Sequence, residues 1–384
     1  MRPYFKPWLT VVCLLLVWLT GCAIPRVSAE DRLFLDVSVD YLGEYRLPQQ
    51  EFQGTIVGGL SAIAYVPQTG QLYALSDDRG RLGPPRFYTL SLEIGSDASN
   101  NPTLERIALE AFTELTDPAG QAYATGQLDP EGMALSPRNT LLISSEGDAR
   151  QKIAPFIGEF DLGTGQNLAS FRVPDRYLPD DKVPSEQGIQ NNLSLESLTV
   201  NLGPASTALL EPFRLFTATE SALVQDYNDD PTQPLNLRFL HYLIGETQST
   251  LIAEHRYPLD LEPQGALLNG LSELLTLDQG GHFLALERAF GLRGFQAKLY
   301  QLSTGGATDT SAIDSLKGDV EGISPIRKRL VLNLNEAGIV PENLEGMTLG
   351  PRLPDGSQSL LMVSDNNFES TQETQFLLFR LKLS

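Results

Sequence analysis

The feature that most constrains this chain is a unit it spells out five times. Asn343–Phe368 reads NLEGMTLGPRLPDGSQSLLMVSDNNF: an apolar strand opens on Glu345, a Pro/Asp/Gly turn follows, and a second apolar strand closes on Asp365. Leu128–Asp148 reads LDPEGMALSPRNTLLISSEGD, with Glu131 and Glu146 in the two acidic places. Asn192–Leu223 begins NLSLESLTV and ends FRLFTATESAL, with Glu196 and Glu220. Gly270–Gly291 reads GLSELLTLDQGGHFLALERAFG, with Glu273 and Glu287. In Gly58–Gly80, GGLSAIAYVPQTGQLYALSDDRG, Ala62 takes the first acidic place and Asp77 or Asp78 the second. Self-similarity at a regular period restricts the chain to repeat architectures.

Which architecture follows from the period and from what fills it. Apolar residues alternate or run in short blocks broken by Pro, Gly, Asn and Asp, and no window sustains a 3.6-residue period, so the chain reads as all-β. Ala62, Glu131, Glu196, Glu273 and Glu345 recur every 65–77 residues, and each interval holds four strand-like blocks. In the second unit these are GMALS, TLLISS, FIGEFDL and LASFRV. A four-stranded unit repeated around a ring is a β-propeller blade. After Glu345 only GMTLG, SLLMVS and FLLFRLKL remain, while FLDVSVDYLGEYRL precedes the first unit. The N-terminal strand is therefore expected to complete the last blade and leave no open sheet edge. The count gives five blades, or six if one interval hides a divergent blade. A solenoid would need end caps that the sequence does not offer. We expect a single domain over 33–384.

The N-terminus reads as a targeting segment. Arg2 and Lys6 precede an apolar run, Trp8–Leu19, of signal-peptide length. The run ends Leu19-Thr20-Gly21-Cys22, which resembles a bacterial lipobox. On that reading 1–21 is a signal peptide, Cys22 carries a lipid, and 22–32 is a tether. The protein is then exported and lipid-anchored to the cell envelope, on a periplasmic or surface face. The plainer alternatives are an ordinary signal peptide cut near Ala29 or an uncleaved anchor. The only other cysteine is Cys13, within the apolar run. The folded part thus has no thiol, which excludes disulfides, thiolate catalysis and Cys-ligated zinc there.

The formal net charge is −20, and removing Arg2 and Lys6 with the leader makes it −22. That balance argues against nucleic acid, whose backbone demands a basic patch, and against electrostatic docking on anionic lipid. A solvated acidic surface explains most of it, but not why acids recur at strand ends. In an antiparallel pair the start of one strand and the end of the next share one sheet edge. Asp77, Asp78, Glu131, Glu146, Glu196, Glu220, Glu273, Glu287, Glu345 and Asp365 are thus expected round one mouth of the ring. Clustered carboxylates raise one another's pKa unless cations neutralise them. Oxygen ligands without Cys or metal-spaced His suit Ca²⁺ or Mg²⁺. Some acids would instead cap turns or pair with Arg79 and Arg288. These two, with Lys328, are also the cations nearest the acids and could hold an anionic group. Other signals are weak. Gly59-Leu60-Ser61-Ala62-Ile63 fails a G-x-S-x-G elbow at its last position, and His241, His255 and His282 read as structural. Asp226-Tyr227-Asn228-Asp229-Asp230 starts like an EF-hand loop but meets Pro231 where Gly is required, leaving it at most one ligand to offer.

The five motifs in their order, GLSAIAY…LYALSDDRG, LDPEGMAL…SEG, NLSLESLTV…TATESAL, GLSELLTLD…LALERAFG and NLEGMTL…LLMVSDNNF, resemble the phytase-like family, whose bacterial members are described as having esterase-like activity. The resemblance runs from about Leu42 to Leu383. It implies a secreted or surface propeller that cleaves phosphate esters with calcium. Under it, Glu131, Glu196, Glu220, Glu345 and Asp365 would bind metal. Glu131, Glu196, Arg79 and Arg288 would form the catalytic set, the arginines orienting a phosphate or other anionic ligand. The protein is expected to act as a monomer. The competing expectation is a non-enzymatic lipoprotein in which calcium braces the ring and the mouth binds an envelope ligand.

Overall fold

The computed structural model describes residues 31–383 apart from positions 183, 202–210, 247, 262 and 264. The leader, Cys22 and most of the tether lie outside the described residues. Strand β1 (Val37–Leu47) and a two-residue pair, β2 (Glu51–Phe52) and β3 (Thr55–Ile56), precede the first repeat. Blade one is β4 (Leu60–Val66), β5 (Gln71–Ser76), β6 (Arg86–Ser96) and β7 (Pro102–Glu114). Blade two is β8 (Pro130–Leu135), β9 (Thr140–Ser145), β10 (Phe156–Asp161) and β11 (Asn167–Phe171). Blade three is β12 (Leu195–Asn201), β13 (Phe213–Thr219), β14 (Asn236–Ile244) and β15 (Ser249–Pro258). Blade four is β16 (Ala266–Thr276), β17 (His282–Gly291), β18 (Gly294–Ser303) and β19 (Arg327–Asn333). Blade five takes β20 (Asn343–Arg352), β21 (Gln358–Asp365) and β22 (Thr374–Leu383) from the C-terminus. Among the described residues helix is confined to three three-residue 3-10 turns, and none is long and apolar enough to cross a membrane.

The ring closes as the strand count predicts. Blade five has the order β1-β22-β21-β20, with β1 antiparallel to β22 from Val37↔Leu383 to Leu47↔Thr374. Innermost strands β4, β8, β12, β16 and β20 touch in that sequence, and β20 returns to β4. The described residues form five blades, and no interval among them hides a sixth.

What holds the ring is burial between blades. Each interface carries its own apolar cluster. Blades two and three share Leu142, Ile157, Leu195, Leu215 and Leu240. Blades three and four share Phe216, Phe239, Leu271 and Phe283. The fifth blade meets the fourth through Leu286, Leu299, Leu344 and Phe379, and the first through Val363, Phe376, Leu60 and Tyr88. Blades one and two join through Leu75, Phe87, Met133 and Phe160. Each such side chain contributes about 1.5–3 kcal/mol when fully buried. A blade has two apolar faces and needs a neighbour on each, and closure supplies both. Inner strands approach closely where the motif is small: a Cβ on Gly346 would lie 2.9 Å from Ala62 Cα, and one on Gly132 would lie 2.5 Å from the Glu196 carbonyl.

Candidate metal centre at the ring mouth

The site begins with a backbone irregularity repeated in every innermost strand. Pairing of β4 with β5 steps from Leu60↔Ser76 to Ala62↔Leu75, leaving Ser61 unpaired. The same break strands Glu196, Ser272 and Glu345 in blades three, four and five. In blade two it falls between Pro130 and Met133 and takes in Glu131. A bulge inserts one residue and re-aims its side chain. The structurally equivalent first positions are therefore Ser61, Glu131, Glu196, Ser272 and Glu345. On the second strands, the residues following the partner of the residue just before each bulge are Asp77, Glu146, Glu220, Arg288 and Asp365.

This register corrects the sequence expectation in blades one and four. Ala62, Glu273 and Glu287 are one residue out of phase, and a one-residue slip sends a strand side chain to the other face. Glu273 turns to the neighbouring blade, where Oε1 accepts from Leu198 N at 3.1 Å and Leu274 N at 2.8 Å. Glu287 faces an outer groove, accepting from Lys328 Nζ at 2.6 Å, from Tyr257 Oη and from Asp260 N at 3.1 Å. Asp78 also lines the mouth cavity, but its carboxylate is engaged: it pairs with Arg86 at 3.0 Å and accepts from Arg81 N and Leu82 N. Blade four thus offers the mouth Ser272 and Arg288 where its neighbours offer acids.

The remaining acids do converge. A cavity of about 880 Å³ at the mouth is lined by Asp77, Glu131, Glu196, Glu345 and Asp365, with Arg79, Arg81, Arg288, Asn192 and Asn343 among them. Three carboxylate triads overlap here: Asp129, Glu131 and Glu146; Glu131, Glu196 and Glu345; Glu146, Glu196 and Glu220. Within each triad one oxygen per residue lies within 4.8 Å of the others. Of the five sequence-proposed ligands, four fall in these triads; Asp365 lines the cavity but joins none. Arg288 reaches three acids through Nη2, at 2.9 Å from Glu345, 3.3 Å from Glu220 and 3.7 Å from Glu196. Arg79 Nε lies 2.6 Å from Asp129 Oδ1, and its Nη2 is 3.9 Å from Glu146.

Two arginines do not neutralise seven buried acids and the half-buried Asp77. Burial first, and repulsion among neighbours second, push Glu131, Glu146, Glu196 and Asp365 well above the usual carboxylate range. Burial pushes Glu345 up to about 8 against the opposing pull of Arg288, and Asp129 to about 6. The same neighbours hold Arg288 more firmly protonated than usual. Four buried oxygens, Asp77 Oδ1, both of Asp129 and Glu146 Oε2, have no hydrogen-bond partner, although Arg79 lies against Asp129 Oδ1. Buried polar atoms are ordinarily satisfied, so unpaired oxygens aimed into an acidic cluster fit a hard divalent cation such as Ca²⁺ or Mg²⁺, with Glu131, Glu146 and Glu196 shared between triads.

Asp129 was missed by sequence reasoning, although Asp129-Pro130-Glu131 gave a signal: an acid two residues before the bulge points to the same side. Asn191, Asn192 and Asn343 also line the cavity, and nothing in their types announced it. The segment beginning at Asp226 does not reach the mouth. Asp226 is buried against Arg238, at 2.6 Å from Nε and 3.0 Å from Nη2. The histidines are structural as expected. His241 stacks on Phe216 and is pushed down to about 4 by burial, while His255 and His282 hydrogen-bond Thr308 O, Asp278 and Leu33 O.

Fold and site together define a five-bladed propeller with a carboxylate-lined mouth whose triads could hold a cation. The profile of the family described as "Phytase-like: Esterase-like activity of phytase" matches residues 55–368, and the chain belongs to that family. Among solved structures, the catalytic domain of a Coprinopsis cinerea GH62 α-L-arabinofuranosidase is similar at 10% identity and a TM-score of 0.45, covering 91% of this chain and 98% of that one. The Neurospora crassa Pan2 WD40 domain is similar at 7% identity and a TM-score of 0.32, covering 89% and 95%. Neither likeness bears on function. A comparison with curated protein sequences returned no match.

Proposed function

We propose that this protein is an exported, divalent-cation-dependent phosphoesterase acting at the acidic mouth, with calcium as its cation. The observation that carries the reading is the set of overlapping triads on Glu131, Glu146 and Glu196, one of whose oxygens, Glu146 Oε2, is buried without a hydrogen-bond partner. Family membership supports a hydrolase. A cation held there supplies positive charge against a phosphoryl oxygen, the charge that hydrolysis of a phosphate ester requires. Glu131, Glu196 and Glu345, which line the open cavity, are the residues to hold it, with Glu220 behind them.

The chain's own groups do the remaining work. Arg288 cannot release its three carboxylates cheaply, so its first role is to fix their positions. Its side chain remains 11% exposed at the cavity wall. Arg79, 18% exposed, and the exposed Arg81 flank the other side of the cavity and orient an incoming anion. Glu345, pushed up to about 8 in the metal-free protein, holds a proton at neutral pH that a bound cation would displace. Small-molecule phosphate esters are the substrate class, and the protein works as a monomer anchored to the cell envelope through Cys22.

Hydrolysis of p-nitrophenyl phosphate, with and without calcium and a chelator, tests the reading. Chelator-sensitive turnover lost in Glu196→Gln supports it. Calcium binding without turnover of any phosphate ester would replace it with a calcium-braced binding protein. Labelled fatty acid retained in Cys22→Ser would place the anchor elsewhere.

A further inference from the structure

Blade four differs from the others in height as well as in charge. In blades one, two, three and five the innermost strand begins one or two residues before its bulge residue, at Leu60, Pro130, Leu195 and Asn343. In blade four it begins at Ala266, six residues before Ser272, and β17 runs on past Arg288 to Gly291. At roughly 3.3 Å per residue, the three residues of β17 beyond Arg288 raise this hairpin about 10 Å above the level of the carboxylates. β18, from Gly294, pairs with it over its full height. The result is a three-stranded wall on one side of the mouth.

The wall's cavity face is set by pairing. Gly270, Arg288 and Ala297 form one cross-strand row. The row above it, two residues along each strand and so on the same face, is Leu268, Phe290 and Phe295. All three line the acidic cavity. Phe290 and Phe295 pack ring on ring at 4.7 Å, and Leu268 is 50% exposed. Across the mouth, Phe368 sits in the left-handed region at φ 55°, with its amide donating to Asn366 Oδ1. A bulky residue is rarely held there, and the conformation places its ring against Gly59 on the cavity rim.

From this wall we infer that the ligand is an amphiphile: one phosphoryl group seated among the carboxylates and Arg288, and a hydrocarbon chain laid along Leu268, Phe290 and Phe295. The inference rests on the phosphoesterase reading for the head and on the wall alone for the chain. Charge argues the same way. Arg79 and Arg288 are already matched by acids, and the exposed Arg81, whose charge acts on Asp129, is the remaining cavity-lining cation among the described residues. A polyphosphorylated ligand would bring several negative charges to a mouth that is already acidic, whereas a single phosphoryl group needs little beyond one cation. An apolar row directly above Arg288 has no use for a polyanion but buries a chain.

The test is binding of methyl-, butyl- and octylphosphonate, the last below its micelle concentration, to the full chain in calcium by calorimetry, with inositol hexakisphosphate alongside. Affinity should rise with chain length, by up to about fourfold for each of the first few methylenes. Leu268→Ser and Phe290→Ser should flatten that dependence while methylphosphonate affinity stays within twofold. Chain-length independence with methylphosphonate still bound would overturn the inference and spare the phosphoesterase reading. Tighter binding of inositol hexakisphosphate than of octylphosphonate would overturn it as well. Failure of every phosphonate and of hexakisphosphate to bind would sink both.

Discussion

Arg288 Nη2 sits 2.9 Å from Glu345 Oε1, in the strand position that the other four blades fill with Asp77, Glu146, Glu220 and Asp365. One blade in five thus contributes the ring's own cation. Arg288→Met should leave Glu196, Glu220 and Glu345 without their partner in a buried setting. Breaking a buried pair by removing one member costs about 3–5 kcal/mol. We expect a loss of that order in denaturant unfolding of the metal-free variant, largely recovered when calcium is added. An unchanged midpoint in chelator would show that Arg288 contributes nothing to holding the ring.

Much of this architecture was legible in the sequence, and the reason is periodicity. The β20–β22 blocks after Glu345 and the lone strand before Gly58 were an arithmetic remainder, so closure by β1 could be counted. The site was less legible because a bulge is not. In LSELL of blade four, Ser272 and Glu273 are adjacent, and alignment by residue type selects the acid. The backbone instead places Ser272 at the bulge and sends Glu273 to Leu198 N. Arg288 was visible as a cation near the repeats, yet nothing short of the register reveals that it replaces an acid rather than flanking one.

Stability without metal should fall as pH rises. The mouth carboxyls have native pKa values above their unfolded values, with Asp129 at about 6 and Glu345 at about 8. A group shifted upward contributes stability that is fully present below its unfolded pKa, near 4, and is lost as pH climbs through its folded one. The Tm of chelated protein should therefore decline between pH 5 and pH 9. Calcium, which binds the ionised carboxylates and displaces their protons, should reverse the slope over the same range. A chelated Tm that rises toward pH 9 would mean that the acids are already neutralised by groups within the protein.

The corrected register predicts which acids answer to calcium. Glu131→Gln and Glu196→Gln keep shape and remove a charge from shared positions of the triads. Each should weaken calcium affinity at least tenfold and leave the metal-free protein as stable as before or slightly more so, since repulsion is relieved. Glu273→Gln and Glu287→Gln should do the opposite. They disturb bonds to Leu198 N and to Lys328, costing about 1–3 kcal/mol with the calcium affinity unchanged. Calcium titration followed by Tm on all four variants separates the pairs. Glu273→Gln behaving like Glu196→Gln would restore the simpler alignment by residue type.

Closure by β1 is the part of the fold most open to direct attack. The strand pairs with β22 along its length, and Tyr41 packs on Phe379 at 5.5 Å between ring centroids. Without it, β22 would present a row of unpaired amides and carbonyls beside the apolar faces that Val37 and Val39 now cover. Such an edge recruits strands from other molecules. Deleting 33–47 should therefore lower Tm and drive the protein into aggregates more readily than the intact chain at the same concentration. A synthetic peptide of residues 33–47, added during refolding, should restore solubility, because it supplies the missing strand and no other feature of the chain. A truncated protein that remains monomeric with its Tm unchanged would show that the ring is held by its five interfaces and that the β1–β22 ladder is dispensable.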